Sequence, residues 1–243
     1  MERVRPGLFW VKWTLMFDKP ELVKDLELSK MTEQDWELLS ERCCSPGQWD
    51  NLLQLRPQKI DKCPREMWYD GLWCSVLLKL PEYADRCPWD LLGGSAWSRL
   101  LSGQPQFADK CDWALLNGSD WYKLLQEQPQ FADQCDWQKL SGGDWSYLLQ
   151  EQPQFANKCN WKLLNGWNWV DLLREQPQFA DRCDWTQLDE GFYWSSLLRK
   201  QPQFAVRIDW DHLGPRDIAR LLGQNWKTIY ENNPFFSNRQ EDN

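Results

Sequence analysis

Apolar and polar positions recur along this chain with a period much longer than a helical turn. Starting from Trp113, the pattern reads Trp113, Leu116, Gly118, Trp121, Leu124, Leu125, Pro129, Phe131, Ala132 and Cys135, and it restarts at Trp137, 24 residues on. The same positions return as Trp137, Leu140, Gly142, Trp145, Leu148, Leu149, Pro153, Phe155, Ala156 and Cys159, and again from Trp161. The spacing persists more loosely before this, through Trp73, Pro81, Tyr83, Ala84 and Cys87 and through Trp49, Pro57 and Cys63. PELVKDLEL at 20–28 fits it with Pro20, Leu22, Val23 and Leu26. One residue is inserted after Trp185, so the next cycle begins at Trp210 with Ile218, Leu221 and Leu222, and NNPFFSNRQEDN follows as a polar end. A fixed period in this range marks a repeat architecture, in which irregular terminal units act as caps.

Within a unit the pattern predicts two short helices. In LSGGDWSYLLQEQ, Ser141 and Asp144 have the spacing of a capping box, and Trp145, Leu148 and Leu149 then share one helical face. MTEQDWELL at 31–39 and GPRDIARLL at 214–222 start in the same way, the second with Pro215 at the first helical position. The repeated proline cannot continue the first helix but is suited to open a second, which places Phe131 and Cys135 four apart on a buried face. In CDWxxLxG the aspartate is expected to cap one further turn, with glycine near the break. Helices this short are marginal alone and must stack on their neighbours.

The expected fold is therefore all-α, a right-handed-type α-solenoid of short helical hairpins with about seven to eight units. One continuous domain is expected, with capping units at 1–48, a regular array at 49–209, and a cap with a polar tail at 210–243. The alternative is a leucine-rich-repeat-like α/β solenoid, because Ala132, Cys135 and Trp137 match the L-x-x-L-x-L strand of such repeats. Leu140 and Gly142 stand where that pattern wants asparagine and an apolar residue, which favours the helical reading.

Composition narrows the function classes. The 243 residues are 42% hydrophobic and 26% charged, enough apolar content for a sizeable core. The net charge of -8, from 36 acidic and 28 basic residues, argues against direct nucleic-acid binding and against anionic membranes. The apolar run in MERVRPGLFWVKWTLMFDKP is interrupted by Lys12 and Asp18, and no stretch approaches a membrane span, so a soluble, cytoplasmic protein is expected.

The unit CDWxxLxGxDWxxLLxxQPQFAxK, written out over about residues 49–222, resembles tandem-repeat proteins encoded by bacteria. The resemblance implies a bacterial or phage-linked repeat protein. It brings no catalytic residues.

Candidate chemistry is sparse. Of nine cysteines, Cys63, Cys87, Cys111, Cys135, Cys159 and Cys183 lie 24 apart, and Ile208 and Leu26 fill the same slot elsewhere. Isoleucine cannot do thiol chemistry, so the slot reads as apolar core. Disulfides or zinc between successive units are disfavoured by helix spacing and by the single histidine, His212, read as surface. Cys43 and Cys44 stand outside the ladder, in what reads as an irregular loop between units. The 19 tryptophans read mostly as core, with Ile218 replacing one of them. Trp167 is the exception, because its equivalents are Ser95, Ser119 and Gly143, and it is the best candidate for an exposed aromatic. No nucleophile motif, phosphate loop or metal signature occurs, and Asp109, Asp133 and Asp181 recur beside Lys110, Gln134 and Arg182 as solvent-facing ladders. No enzyme activity and no cofactor are expected.

Binding remains, and repeat scaffolds bind through positions that vary on a constant frame. One residue after the second tryptophan the series is Ser98, Tyr122, Ser146, Val170, Ser195, Ala219, and two after it Arg99, Lys123, Tyr147, Asp171, Ser196, Arg220. Both series are expected as exposed stripes. Mixed charge with tyrosine points to a protein partner, and the predicted partner face is Arg99, Tyr122, Lys123, Tyr147, Trp167 and Asp171. The expected function is a non-enzymatic protein-binding scaffold, as an inhibitor, immunity or anti-defence factor would be. The alternative is an acidic nucleic-acid mimic that blocks a nucleic-acid-binding protein.

Overall fold

A computed structural model describes residues 32–209, 211 and 213–232. The expectations for segment 20–28, Trp210, His212 and the polar end after Asn232 lie outside the described residues. The chain divides into two compact units, Met1–Leu115 and Leu116–Asn243. The first contains α1 (Glu33–Arg42), α2 (Pro46–Leu55), α3 (Asp70–Lys79) and α4 (Gly94–Gly103). The second contains α5 (Gly118–Glu127), α6 (Gly142–Glu151), α7 (Gly166–Glu175), α8 (Gly191–Leu198) and α9 (Pro215–Asn232). Within each unit every α-helix packs on the next, and no strand occurs among the described residues. This is an all-α solenoid arrangement. Where a leucine-rich repeat would place its strand, Pro129–Gln134 and Trp137–Lys139 are helical turns.

The predicted caps form. Ser141 accepts from the Asp144 amide while the Asp144 carboxylate accepts from the Ser141 amide at 2.9 Å, and Asn117 with Asp120 and Asn165 with Asn168 repeat the exchange. Thr32 and Asp35 do the same at the start of α1. The second helix of each unit departs from expectation. It is a 3₁₀ turn of five or six residues, such as Pro105–Lys110 or Pro129–Gln134, followed by a three-residue 3₁₀ turn at the next tryptophan. The physical reason is length, since i to i+3 bonds close in pieces too short for an α-helix. Cys135 is consequently the extended C-cap of its turn, with φ -73 and ψ 126. As predicted, Asp136 and Asp184 cap the three-residue turns, accepting from the amides of Gln138 and Thr186.

Three features lock neighbouring turns of the solenoid together. Aromatic triads come first: Trp137 stacks on Trp145 at 5.4 Å and leans on Phe155 at 5.3 Å, and Trp161, Trp169 and Phe179 repeat the geometry, as do Trp89, Trp97 and Phe107 in the first unit. The helix tryptophan of each triad is fully buried and the 3₁₀ tryptophan half-buried. Second, glycine opens α5 to α8 because the next turn passes against it. A Cβ on Gly142 would lie 2.1 Å from the Leu163 carbonyl oxygen, and one on Gly118 2.4 Å from that of Lys139.

The third feature is the repeated Gln-Pro-Gln. Its first glutamine donates to the carbonyl of the penultimate residue of the preceding α-helix, Gln104 to Leu78 at 3.1 Å, Gln152 to Gln126 at 2.7 Å and Gln201 to Arg174 at 2.8 Å. Such carbonyls have no intrahelical partner. The second glutamine donates to the first, as Gln106 does to Gln104 at 2.6 Å and Gln203 to Gln201 at 2.8 Å. In the first unit Lys59, itself buried, adds ion pairs from the Pro57–Lys62 turn to Glu33 and, at 2.7 Å, to Glu37 of α1.

The cysteine ladder occupies the apolar slot the sequence predicts. Cys63 and Cys87 are buried, Cys111, Cys135, Cys159 and Cys183 half-buried, and Ile208 is buried in the same position. Burial pushes the Cys63, Cys87, Cys111, Cys135 and Cys159 thiols up to about 12, and that of Cys183 up as well. Cys43 and Cys44 fall in the short link between α1 and α2, ahead of Ser45, which caps α2. Cys43 is buried, and Cys44 is exposed with its Sγ 3.4 Å from Gln48 Oε1.

Candidate functional site

The Trp-Leu-Leu positions of each helix point inward, so an outer face remains. Trp121, Leu124 and Leu125, then Trp145, Leu148 and Leu149, and then Trp169, Leu172 and Leu173 are all buried. The position two after the tryptophan therefore faces out. Arg99, Lys123, Tyr147 and Arg220 are exposed, while Asp171 and Ser196 are half-buried. Trp167 lies four residues before Asp171, one turn away on the same face of α7, and is 49% exposed.

The other predicted stripe is corrected. Ser98, Ser146, Val170 and Ser195 are buried, and only Tyr122, half-buried, and Ala219, exposed, reach the surface. The next helix lies against this position: Ser146 Oγ donates to the Asn168 carbonyl of α7 at 3.0 Å. The interhelical seam there takes small side chains, and Tyr122 emerges because its ring turns out to meet Tyr147.

Two aromatic clusters result on the second unit. In one, the Tyr122 and Tyr147 rings lie 5.7 Å apart, Lys123 Nζ sits 5.9 Å from the Tyr122 ring, and the Gln126 amide donates to the Tyr147 carbonyl at 3.0 Å. In the other, Trp167 lies 5.0 Å from Phe192 and 5.2 Å from Tyr193, whose rings are 4.2 Å apart. Burial raises the Tyr193 hydroxyl above its usual range, with Glu190 and Asp189 adding to the effect. Burial likewise raises the Asp171 carboxyl, and Arg174 opposes it. Arg99 holds the equivalent position on α4, in the first unit.

Phe192 and Tyr193 are missing from the predicted face. The signal for them is present in GFYW, because Phe192 precedes Trp194 by two residues as Trp167 precedes Trp169, but the insertion after Trp185 displaces it from the 24-residue count.

Chemically these clusters offer aromatic area flanked by charge. Among the described residues no group of three or more His, Cys, Asp or Glu side chains could hold a metal ion, and no helix is long and apolar enough to cross a membrane. No family model matches the chain, and no curated protein or solved structure shows detectable similarity to it.

Proposed function

We propose that this chain is a non-enzymatic repeat scaffold that binds a partner protein along the outer face of its α-helices. The observation that carries this reading is the pair of surface aromatic clusters, Tyr122 with Tyr147 and Trp167 with Phe192 and Tyr193, on helices whose Trp-Leu-Leu side chains are buried. Tyrosine and tryptophan dominate binding energy at protein interfaces because they contribute large rigid area at little entropic cost. Lys123 and Asp171 bring both signs of charge to the same face, which fits a mixed protein surface and speaks against a one-sided acidic mimic of nucleic acid. The resemblance of the repeat to bacterial tandem-repeat proteins directs the search for the partner to a bacterial host.

The test is capture of partners from such a host with the full chain and with a Tyr122→Ala, Tyr147→Ala, Trp167→Ala triple variant, followed by titration of the captured protein. The variant is expected to keep the circular dichroism and melting temperature of the parent and to lose about 2 kcal/mol or more of affinity. A folded variant that binds as tightly as the parent removes this face from the reading.

A further inference from the structure

A second surface of the same unit departs from the repeat in several independent ways at one place. A concavity of ≈ 1100 Å³ opens between two equivalent 3₁₀ turns of successive repeats, Pro153–Asn157 and Pro177–Arg182, lined among others by Gln154, Asn157, Trp161, Gln178, Phe179, Asp181 and Arg182.

The charge differs first. Segments 105–115, 129–139 and 177–187 each carry two aspartates against one cation, at Asp109 and Asp112, Asp133 and Asp136, and Asp181 and Asp184. In 153–163 both aspartates are replaced, by Asn157 and Asn160, and the cations are two, Lys158 and Lys162. The replacement forgoes a structural bond. Asp112, Asp136 and Asp184 accept from the amides of Ala114, Gln138 and Thr186, whereas Asn160 makes no side-chain cap. The backbone differs as well: this 3₁₀ turn stops one residue early, and Lys158 caps it in the helical region at φ -95 and ψ -16, where its siblings end on an extended cysteine.

The cations here also lack partners. Lys110 pairs with Asp109 at 3.1 Å and Lys200 with Glu175 at 2.6 Å, whereas among the described residues Lys158, Lys162 and Arg182 make no ion pair. Arg182 shares the lining with Asp181, and Lys158 and Lys162 stand next to lining residues, so segments 153–163 and 177–187 together carry three cations against two aspartates where 105–115 and 129–139 carry two against four, a local reversal of sign on a chain of net charge -8.

We propose that this groove binds an extended acidic segment of a partner protein, seating a carboxylate on Arg182 with Lys158 and Lys162 nearby and an apolar side chain against Trp161 and Phe179. It rests on the protein-binding reading but not on the helix face. The guanidinium fork matches a carboxylate in two parallel bonds. Gln154 and Gln178 each donate to the neighbouring glutamine, Gln152 and Gln176, and retain a second amide hydrogen and a carbonyl oxygen. With Asn157 they can satisfy both the N–H and C=O groups of a peptide backbone. These amides, Arg182 and both lysines are exposed, so a chain can lie across them.

The probe is a blocked hexapeptide alternating glutamate with leucine, titrated at low salt into the full ¹⁵N-labelled chain, beside its glutamine counterpart and an oligogalacturonate. The glutamate peptide is expected to shift the Trp161 indole N–H and the Arg182 Nε–H saturably. The N157D/N160D variant restores the sibling sequence, so it is expected to fold and to weaken that binding about tenfold or more, or 1.4 kcal/mol. Y122A/Y147A/W167A is expected to bind the peptide as the parent does, so a failure of the helix face and a failure of the groove are seen separately. Equal binding of the glutamine peptide, an unaffected N157D/N160D variant, tighter binding of the oligogalacturonate, or no saturable shift at Trp161 would each overturn the proposal.

Discussion

Gln152 reaches back across one repeat to Gln126, its side-chain amide donating to the backbone carbonyl at 2.7 Å. That carbonyl belongs to the last turn of α5, where no further backbone N–H follows to donate to it within the helix. The recurrence of Gln-Pro-Gln thus has a structural cause: proline ends one helix geometry, the first glutamine ties the turn to the preceding helix, and the second donates to the first.

Gln152→Leu is expected to lower unfolding free energy by about 1–3 kcal/mol, since the half-buried carbonyl loses its partner while the apolar bulk is kept. Urea unfolding of the parent and the variant measures it. A loss below about 0.5 kcal/mol, the scatter of ordinary surface changes, would show that water replaces the glutamine without cost.

The adjacent glycines of α6 should respond oppositely. Gly142→Ala brings a Cβ to 2.1 Å from the Leu163 carbonyl oxygen and is expected to destabilise by about 1–3 kcal/mol as the stack is forced apart. At Gly143 the nearest atoms lie 3.8 Å away, so Gly143→Ala is expected to stabilise by about 0.4–1 kcal/mol through the unfolded chain. Thermal melts of the two variants decide it, and equal effects would remove close approach as the reason for the first glycine.

Much of the frame is legible from periodicity because the residues that build it are those that pack. The helix Trp-Leu-Leu face, the Ser141–Asp144 box, the aspartate caps and the apolar cysteine slot are all local or strictly repeated. The 3₁₀ form of the second helix is less visible, since Pro129 opens either geometry and only the shortness of the segment decides. The buried series at Ser98, Ser146, Val170 and Ser195 depends on which flank the next helix covers, a tertiary fact with no signal inside one unit. Phe192 and Tyr193 are in plain sight in the sequence, but an insertion moves them off the count.

The cysteine ladder gives the protein an alkaline limit. A thiol in the unfolded chain ionises near about 8.5. Burial holds the Cys63, Cys87, Cys111, Cys135 and Cys159 thiols up to about 12 in the folded chain. Above the lower value the unfolded state releases protons that the folded state keeps, so stability falls as pH rises from there toward the folded values and is unaffected by these groups below it. Cys135→Val is expected to change stability near neutrality by less than about 1.5 kcal/mol and to make the alkaline decline shallower. Urea midpoints of parent and variant across the alkaline range measure this, and identical slopes would show that the thiol is not held neutral by the fold. Cys135→Asp places a carboxylate in the same apolar slot and is expected to unfold the surrounding turns.

Trp145 tests whether the packing is transmitted from neighbour to neighbour. It is 1% exposed, stacked on Trp137 and close to the helices on either side in the second unit. Trp145→Ala is expected to cost about 3–5 kcal/mol, the range for removing a buried large aromatic. Trp137→Ala should cost less, because that ring is already half-exposed. In a linear array each turn is stabilised by its neighbours. Amide hydrogen exchange in Trp145→Ala should therefore rise most in α5, α6 and α7 and fade through α8 toward α9. A uniform rise across all five helices would mean that the unit unfolds as one globular core, and would count against nearest-neighbour stacking as the source of its stability.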